Sequence, residues 1–323
     1  MTQDFLDSLK KRIASERTLK ESSLNAYVFN LDKLYRVMGR SGDMASLDFL
    51  EDTDAVHKAL EDKKDSTKKN FYSSAVVGLM AMAKDRGVLA QHYRYKMDEL
   101  QNAYLQNQRG QKKSEKQTKN WATLAELRKI LRNLLKRTKQ RGLFTQTGPL
   151  TPSQRDLVQM WVLGNLYIGD DSNPPLRNDY SMQVVSLAEY NDLGDDAQKK
   201  NNFLVVDGPR KKFFSLSKYK TESAYGTKRI PIGKKLNFVL NKWLKINRSG
   251  HLLVTRAGLP MRENAITKHL QKVFASTGKR IGSSMLRHIY ISEKFPANLT
   301  QKEDTAALMA HSVTTQTMYA KKD

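Results

Sequence analysis

A polar stretch between Gln106 and Asn120 divides the chain and limits how it can fold. It is dominated by Gln, Asn, Lys and Ser, and no apolar residue recurs in it at helical spacing. Because such a segment has no apolar face to bury, the sequence predicts an exposed linker over 108–121. The patterned sequence on either side then predicts two domains, 1–107 and 122–323, which a length of 323 residues also favours.

The first domain is predicted to be all α-helical. Between Leu24 and Met38, apolar side chains recur at intervals of three and four, which is typical of a helix with one buried face. Helices are predicted over 24–38, 53–61, 65–87 and 91–106. Gly87 is the predicted C-terminal stop of the third helix, and its Met80 and Met82 are predicted to fill the core.

The second domain is predicted to be mostly helical, with a small antiparallel sheet near its middle. Thr123 with Glu126, and Thr151 before Pro152, have the spacing of helix N-termini. The predicted strands cover 203–206, 212–216 and 228–232, with 251–255 as a candidate fourth. Later helices are predicted over 234–245 and 300–309. The predicted core includes Trp161, Tyr167, Trp243 and Met309.

The charge of the chain indicates a polyanionic partner. It carries 56 Lys and Arg residues against 33 Asp and Glu residues, a formal net charge of +23. Nucleic acid is favoured over a membrane surface, since no apolar run approaches the ~20 residues that span a bilayer. The absence of cysteine excludes disulfides and thiolate catalysis, and it fits an intracellular location. The lysines predicted to contact DNA are Lys68, Lys69, Lys112, Lys113, Lys116 and Lys119.

The C-terminal stretch holds three side chains suited to phosphodiester cleavage. Arg287 lies just inside an apolar segment, His311 follows about one helix later, and Tyr319 comes eight positions after that. Cleavage without a metal or cofactor requires a nucleophile, cations at the non-bridging oxygens and a proton donor for the leaving 5′-oxygen. A phenolic oxygen is a suitable nucleophile, and the planar fork of arginine binds two phosphate oxygens at once. The pattern therefore predicts a DNA-cleaving site that uses no metal or cofactor.

These motifs resemble those of the tyrosine recombinases of the phage-integrase type, over essentially the whole chain. Arg177 matches the first arginine of that family, Lys220 the lysine of a hairpin, Arg287 the second arginine, His311 the later histidine and Tyr319 the nucleophile. The order and spacing of all five agree with the family. The first motif, from Pro174 to Tyr180, is more similar to integrases of large DNA viruses and related mobile elements.

Three positions depart from the family's pattern. Ser284 stands where a histidine usually precedes the second arginine, and a serine is not a comparable base near neutral pH. Asp179 lies one position earlier than the family's usual acid, and it is predicted to orient Arg177 through a carboxylate–guanidinium contact. The tail after the predicted nucleophile, Ala320–Asp323, is expected to be too short for the helix that many members of the family exchange between protomers.

The resemblance implies a mainly α fold in two parts. These are an N-terminal helical core-binding (SAM-like) domain and a C-terminal α+β catalytic domain of the DNA breaking-rejoining type. It also implies a site-specific recombinase or integrase that cleaves and rejoins DNA through a 3′-phosphotyrosyl intermediate, independently of metal and ATP. Its partners would be double-stranded DNA and further copies of the chain, as a tetramer on DNA, in the cytoplasm or a host nucleus.

Two alternatives stay open at the level of the sequence. A type IB topoisomerase uses the same chemistry but reseals the same strand. A DNA-binding relative with impaired catalysis is the other, and Ser284 is the residue that favours it.

Overall fold

The computed structural model describes residues 1–82 and 86–294, together with positions 305, 306, 308, 309, 312, 315 and 318–321. The chain forms two compact units, Met1–Gly110 and Gln111–Asp323. Within the described ranges the structure is mainly helical with one small sheet, so the predicted class of secondary structure is confirmed. The helix predicted over 300–309 and the histidine at position 311 lie largely or wholly outside the described residues.

The first unit contains five α-helices and a 3₁₀ helix (Asp48–Leu50) in its described part. The α-helices are α1 (Gln3–Glu16), α2 (Glu21–Val37), α3 (Thr53–Leu60), α4 (Asp65–Met82) and α5 (Gly87–Arg109). The apolar face of α2 packs with α4 around a core that includes Leu31, Leu34 and Phe71. Two predictions were wrong here. Gly87 begins α5 instead of ending the preceding helix, and Met80 is 47% exposed instead of filling the core.

The helices of the second unit begin inside the predicted linker. They are α6 (Glu115–Asn120), α7 (Leu124–Gln140), α8 (Pro152–Ile168), α9 (Leu187–Asp192), α10 (Asp195–Lys200), α11 (Glu222–Tyr225), α12 (Lys234–Ile246), α13 (Glu263–Val273) and α14 (Ser283–Lys294). Helix α8 is apolar on most of its surface and packs against α7, α12, α13 and α14, so it forms the centre of this unit. Trp161, Tyr167, Trp243 and Met309 are buried as predicted.

Helix α6 differs from the predicted exposed linker over 108–121. Ser114 and Gln117 form a reciprocal capping box at its start, which satisfies the first backbone N–H groups of a helix that has no apolar face. At its end, the buried Asn120 accepts a hydrogen bond of 2.7 Å from the backbone N–H of Arg280. The segment is therefore held by polar contacts, which apolar periodicity does not predict.

The sheet has the strand order β1 (Gln183–Ser186), β2 (Phe203–Asp207), β3 (Lys211–Leu216) and β4 (Lys228–Pro231). Strands β2, β3 and β4 pair antiparallel as predicted, but β1 pairs with β2 in parallel, so the sheet is mixed and the prediction of a purely antiparallel sheet was wrong. Leu204 faces the main core of the unit, and Phe203 and Val205 face α9 on the other side. The candidate strand over 251–255 makes only isolated bridges, one of them from His251 to Gln183.

None of the helices in the described part of the chain is long and apolar enough to span a bilayer.

Candidate active site

The loop that follows α8, from Gly169 to Tyr180, presents Arg177. The hydroxyl of the buried Tyr167 donates a hydrogen bond of 2.8 Å to the carbonyl of Arg177. The amide of Asn178 donates one of 2.8 Å to the hydroxyl of Thr267 on α13. These contacts fix the backbone on both sides of the arginine, while its side chain stays partly accessible.

Asp171 in the same loop joins it to two helices. Its carboxylate forms ion pairs of 2.9 Å with Arg128 of α7 and with Lys294 of α14. The hydroxyl of Tyr290, also on α14, donates to the Asp171 carbonyl at 3.2 Å. The loop that carries Arg177 and the helix that carries Arg287 are thus bound to each other directly.

Arg287 and Tyr319 form the central contact of the site. The guanidinium of Arg287 is 2% exposed, and its Nη1 donates a hydrogen bond of 2.6 Å to the phenolic oxygen of Tyr319. The Arg287 guanidinium carbon also lies 4.3 Å from the centre of the Tyr319 ring. The pKa of Arg287 is lowered to about 10, mainly by burial and also by the positive charge of nearby Arg177, while Tyr319 and Asp179 act in the opposite direction. Even so, Arg287 is cationic at neutral pH.

Asp179 is the carboxylate next to the two arginines. Burial raises its pKa to about 6, with Glu263 adding to the increase and the charges of Arg177 and Arg287 opposing it. Among the described ion pairs none joins Asp179 to the Arg177 guanidinium, so the predicted contact between those two groups is not formed. The Arg177 backbone also lowers the pKa of this carboxyl.

The segment around Tyr319 is docked on α14 of its own chain. The Nδ1 of His288 lies 2.9 Å from the Tyr319 carbonyl, and the His288 and Tyr319 rings are 4.6 Å apart between centres. Two residues further along, the backbone N–H of Lys321 donates a hydrogen bond of 2.7 Å to the hydroxyl of Ser292. Burial lowers the pKa of His288 to about 4, so its ring is neutral at pH 7 and donates Nδ1–H to the carbonyl.

Two lysines follow β3, and they are placed differently. Lys220, the predicted hairpin lysine, is exposed, and none of the described contacts connects it to Arg177, Arg287 or Tyr319. Lys218 lines a cleft together with Asn178 and Asp179, the residues that follow Arg177.

A single buried amide explains where Lys218 lies. The Asn202 side chain accepts from the backbone N–H of Lys218 at 2.7 Å and donates to the carbonyls of Lys218, at 2.9 Å, and Asp179, at 3.3 Å. Asn202 therefore ties the end of β3 to the loop that carries Arg177.

The remaining predicted residues are not drawn into this cluster. Ser284 is exposed on α14, one turn before Arg287. His311 lies outside the described residues. Lys112, Lys116 and Lys119 are exposed around α6, whereas the Lys113 amino group lies 4.5 Å above the Trp121 ring. In the first unit, Lys68 is partly buried and Lys69 donates a hydrogen bond to the side chain of Gln101.

The supporting residues were not predicted from the sequence. Asp171 and Asn202 lie in polar stretches that resemble ordinary turns, and their partners are far away in the chain, up to 123 residues for Asp171. Only the position of Asp171 directly before the arginine motif could have drawn attention to it. The described residues include no cluster of three or more His, Asp or Glu side chains placed to hold a metal ion.

Comparison with known proteins adds little to this geometry. No family model matches the chain, and no curated protein matches it. Among solved structures, the chain is similar to one described as the crystal structure of XerA recombinase, with 11% sequence identity. The match covers 99% of this chain and 94% of that one, with a TM-score of 0.39, which is too low to support an argument about fold or function.

Proposed function

We propose that this protein is a DNA strand transferase that cleaves and rejoins phosphodiester bonds through Tyr319, as a tyrosine-type site-specific recombinase does. The observation that carries the proposal is the 2.6 Å hydrogen bond from the buried Arg287 to the phenolic oxygen of Tyr319. A buried cation held against a phenol stabilises the phenolate that attacks phosphorus, and it is also placed beside the phosphate being attacked. Arg177, on a loop bound to α14 through Asp171, supplies a second cation.

The proposed reaction conserves the phosphodiester bond. The Tyr319 oxygen forms a bond to phosphorus and loses its proton, while the bond from phosphorus to the 5′-oxygen breaks and that oxygen gains a proton. Arg287 and Arg177 bind the non-bridging oxygens, where negative charge increases in the transition state. Attack of a free 5′-hydroxyl on the phosphotyrosyl bond then reverses the step and reseals a strand. His311 is proposed to assist at the non-bridging oxygens.

The proton donor to the leaving oxygen is proposed to be a lysine of the segment after β3. Lys220 occupies the position that matches the family, while Lys218 lines the cleft beside Asp179. His288 is not proposed as a base, because its Nδ1 faces the Tyr319 carbonyl and its lowered pKa, about 4, makes it a weak proton acceptor.

The decisive test is the covalent adduct. The substrate is a nicked duplex of the protein's recombination site, from which the fragment with the free 5′-hydroxyl diffuses away after cleavage. On this substrate the wild-type protein should accumulate a 3′-phosphotyrosyl product. Tyr319→Phe should bind the same DNA with unchanged affinity and form none. Adducts that persist in Tyr319→Phe would disprove the assignment. Transfer of the strand to a second duplex, compared with relaxation of a supercoiled plasmid, separates recombination from the topoisomerase reaction.

A second test identifies the lysine. If a lysine protonates the leaving oxygen, replacing that oxygen with sulfur, a far weaker base, should restore cleavage to its alanine variant. Lys218→Ala and Lys220→Ala are matched variants, since both positions are exposed. The lysine whose loss is rescued on the sulfur-containing substrate is the donor, and rescue of neither variant would contradict the proposal.

The rest of the chain is proposed to bind DNA. The residues 1–107 are proposed as a separate DNA-binding domain, and the exposed Lys112, Lys116 and Lys119 as contacts to phosphates. Assembly of several copies on DNA is part of the same proposal, since exchange between two duplexes requires more than one cleavage site.

A further inference from the structure

A groove on the second unit combines an apolar floor with a basic rim. It lies between α7, α8 and α12 and has a volume of about 580 Å³. Its floor is formed by Leu131, Leu135, Trp161 and Val239, and Phe238 lies at its edge. Phe238 is 53% exposed and extends the apolar floor to the surface, so the groove offers a continuous apolar patch instead of a single exposed ring.

Aromatic rings continue beside this groove. Phe144 packs edge-on against Trp161, with 5.4 Å between ring centres. The amino group of Lys242 lies 5.8 Å from the ring centres of both Phe144 and Phe238. Aromatic side chains and arginine, which the groove also contains, are enriched where proteins bind other proteins.

The charges at the groove are all of one sign. Arg132, Lys234 and Lys235 are exposed on its rim, and the fourth cation, Arg128, is paired with Asp171. No carboxylate lines the groove, and the residues that line it all belong to the described part of the chain. Lys234 and Lys235 also form the first turn of α12, whose backbone N–H at Leu236 is bound by the buried carboxylate of Asp170 at 3.1 Å.

We propose that this groove binds an acidic amphipathic helix of a partner protein. The apolar floor takes the apolar side chains of such a helix, spaced at i, i+3 or i+4 and i+7, while its carboxylates meet Arg132, Lys234 and Lys235. DNA fits less well, because its backbone has no apolar group to cover Phe238 or Trp161. The proposal does not depend on strand cleavage, so either can fail without the other.

The test uses the full-length protein and a synthetic helical peptide. The peptide carries Leu and Trp at i, i+4 and i+7 and Glu at its remaining exposed positions, and its binding is followed by fluorescence anisotropy. Phe238→Ser and the double variant Lys234→Glu/Lys235→Glu should each weaken binding at least tenfold. The matched controls are Phe29→Ser, at a phenylalanine 64% exposed in the first unit, and Lys199→Glu/Lys200→Glu at the exposed end of α10, which should leave binding unchanged.

Four results would overturn the proposal. Equal binding of a peptide with Lys in place of Glu would remove the role of the rim. Equal weakening in the control variants would show that the effect is not local to the groove. Loss of DNA affinity in the rim variant with unchanged peptide binding would make this a nucleic-acid surface. Self-association that disappears in Phe238→Ser would assign the groove to a second copy of the chain. Circular dichroism and melting temperature check that the exposed substitutions leave the fold intact.

Discussion

The contact between Arg287 and Tyr319 depends on the shape of one side chain. A guanidinium donates to the phenol with one nitrogen and keeps further N–H groups for a phosphate, whereas the ammonium of a lysine is a compact point charge. Arg287 also keeps its charge although it is 2% exposed, because an arginine whose pKa falls to about 10 remains protonated at pH 7.

Arg287→Lys should therefore reduce the rate of covalent adduct formation by roughly 10²–10³-fold, the usual effect of losing one preorganised donor at a developing charge. DNA affinity should change little. Arg280→Lys, at an exposed arginine ahead of α14, is the control for the loss of a guanidinium alone. Equal rates in the two variants would show that the fork of Arg287 is not needed.

Asp179 makes the stability of the protein depend on pH. Its pKa in the folded protein, about 6, is above the ordinary value of 3.8, so the folded state holds the proton more tightly. The stability that this proton adds is fully present below pH 3.8 and is lost as the pH rises through 6. The free energy of unfolding of the wild type, relative to Asp179→Asn, should fall by at most about 3 kcal/mol between pH 4 and pH 7.

Urea unfolding at several pH values measures this difference. Asp192→Asn, at an exposed position of α9, provides the control for loss of a carboxylate. A difference that rises with pH between 4 and 6 would contradict the raised pKa of Asp179.

The sequence predicts residues of the candidate site only where they belong to a recognised motif. The positions of Arg177, Arg287 and Tyr319 were predicted from motif spacing. The structure joins Arg287 to Tyr319 by a hydrogen bond, and the charge of Arg177 is close enough to lower the pKa of Arg287. Lys218 and Lys220 are only two positions apart, so the sequence pattern alone does not show which of them lies beside Asp179. The backbone bonds of Asn202 place Lys218 beside Asp179, and no local rule predicts an amide that joins two distant loops.

At the scale of elements, α14 supports both partners of the central contact. It carries Arg287, and its His288 and Ser292 bind the backbone of the segment that contains Tyr319. These two contacts are to main-chain atoms, so they orient the segment whatever side chain stands at position 319. The adduct rate should then depend on Ser292, whose described contact is to the Lys321 backbone and not to the phenol.

Ser292→Ala should slow adduct formation by up to about tenfold, because one net hydrogen bond of about 0.5–1.5 kcal/mol is removed from the docked segment. DNA affinity should stay the same, since among the described residues the hydroxyl accepts from the Lys321 backbone and belongs to the docking of this segment. Ser276→Ala, at an exposed position outside α14, is the matched control. An unchanged adduct rate in Ser292→Ala would show that this contact does not position Tyr319.

Elements were predictable where their signals are local. The capping boxes of Thr123 with Glu126 and of Thr151 with Gln154 form within one turn, and α7 and α8 begin at the predicted residues. Strand β1 is only four residues long and is held by a parallel neighbour, so its own sequence does not distinguish it from a loop. The same holds for α6, whose stability comes from caps and from Arg280.

At the scale of the whole molecule, net charge determines how strongly salt would affect the proposed binding of DNA. A formal charge of +23 predicts affinity that falls steeply with salt, because each neutralised phosphate releases counterions. The exposed lysines around α6 are the best place to test this salt dependence locally, because basic residues dominate the chain from Arg109 to Arg141.

Changing Lys112, Lys116 and Lys119 to Gln should reduce the slope of log affinity against log salt by about 1 for each phosphate that the protein no longer neutralises. Lys199→Gln/Lys200→Gln removes charge on α10 and should leave the slope nearly as it was. If changing Lys112, Lys116 and Lys119 to Gln leaves the slope unchanged, the phosphate-binding residues lie elsewhere on the protein.

The contact between Arg287 and Tyr319 also predicts how the yields of cleavage and exchange depend on the number of active copies of the protein. Both residues belong to one chain, so in the proposed reaction each copy carries its own nucleophile and its own cations. When wild-type protein is mixed with Tyr319→Phe, the yield of single cleavages should then fall in proportion to the wild-type fraction. The yield of complete exchanges, which need several competent copies at one junction, should fall as a higher power of that fraction. The exponent counts how many active copies one recombination event consumes.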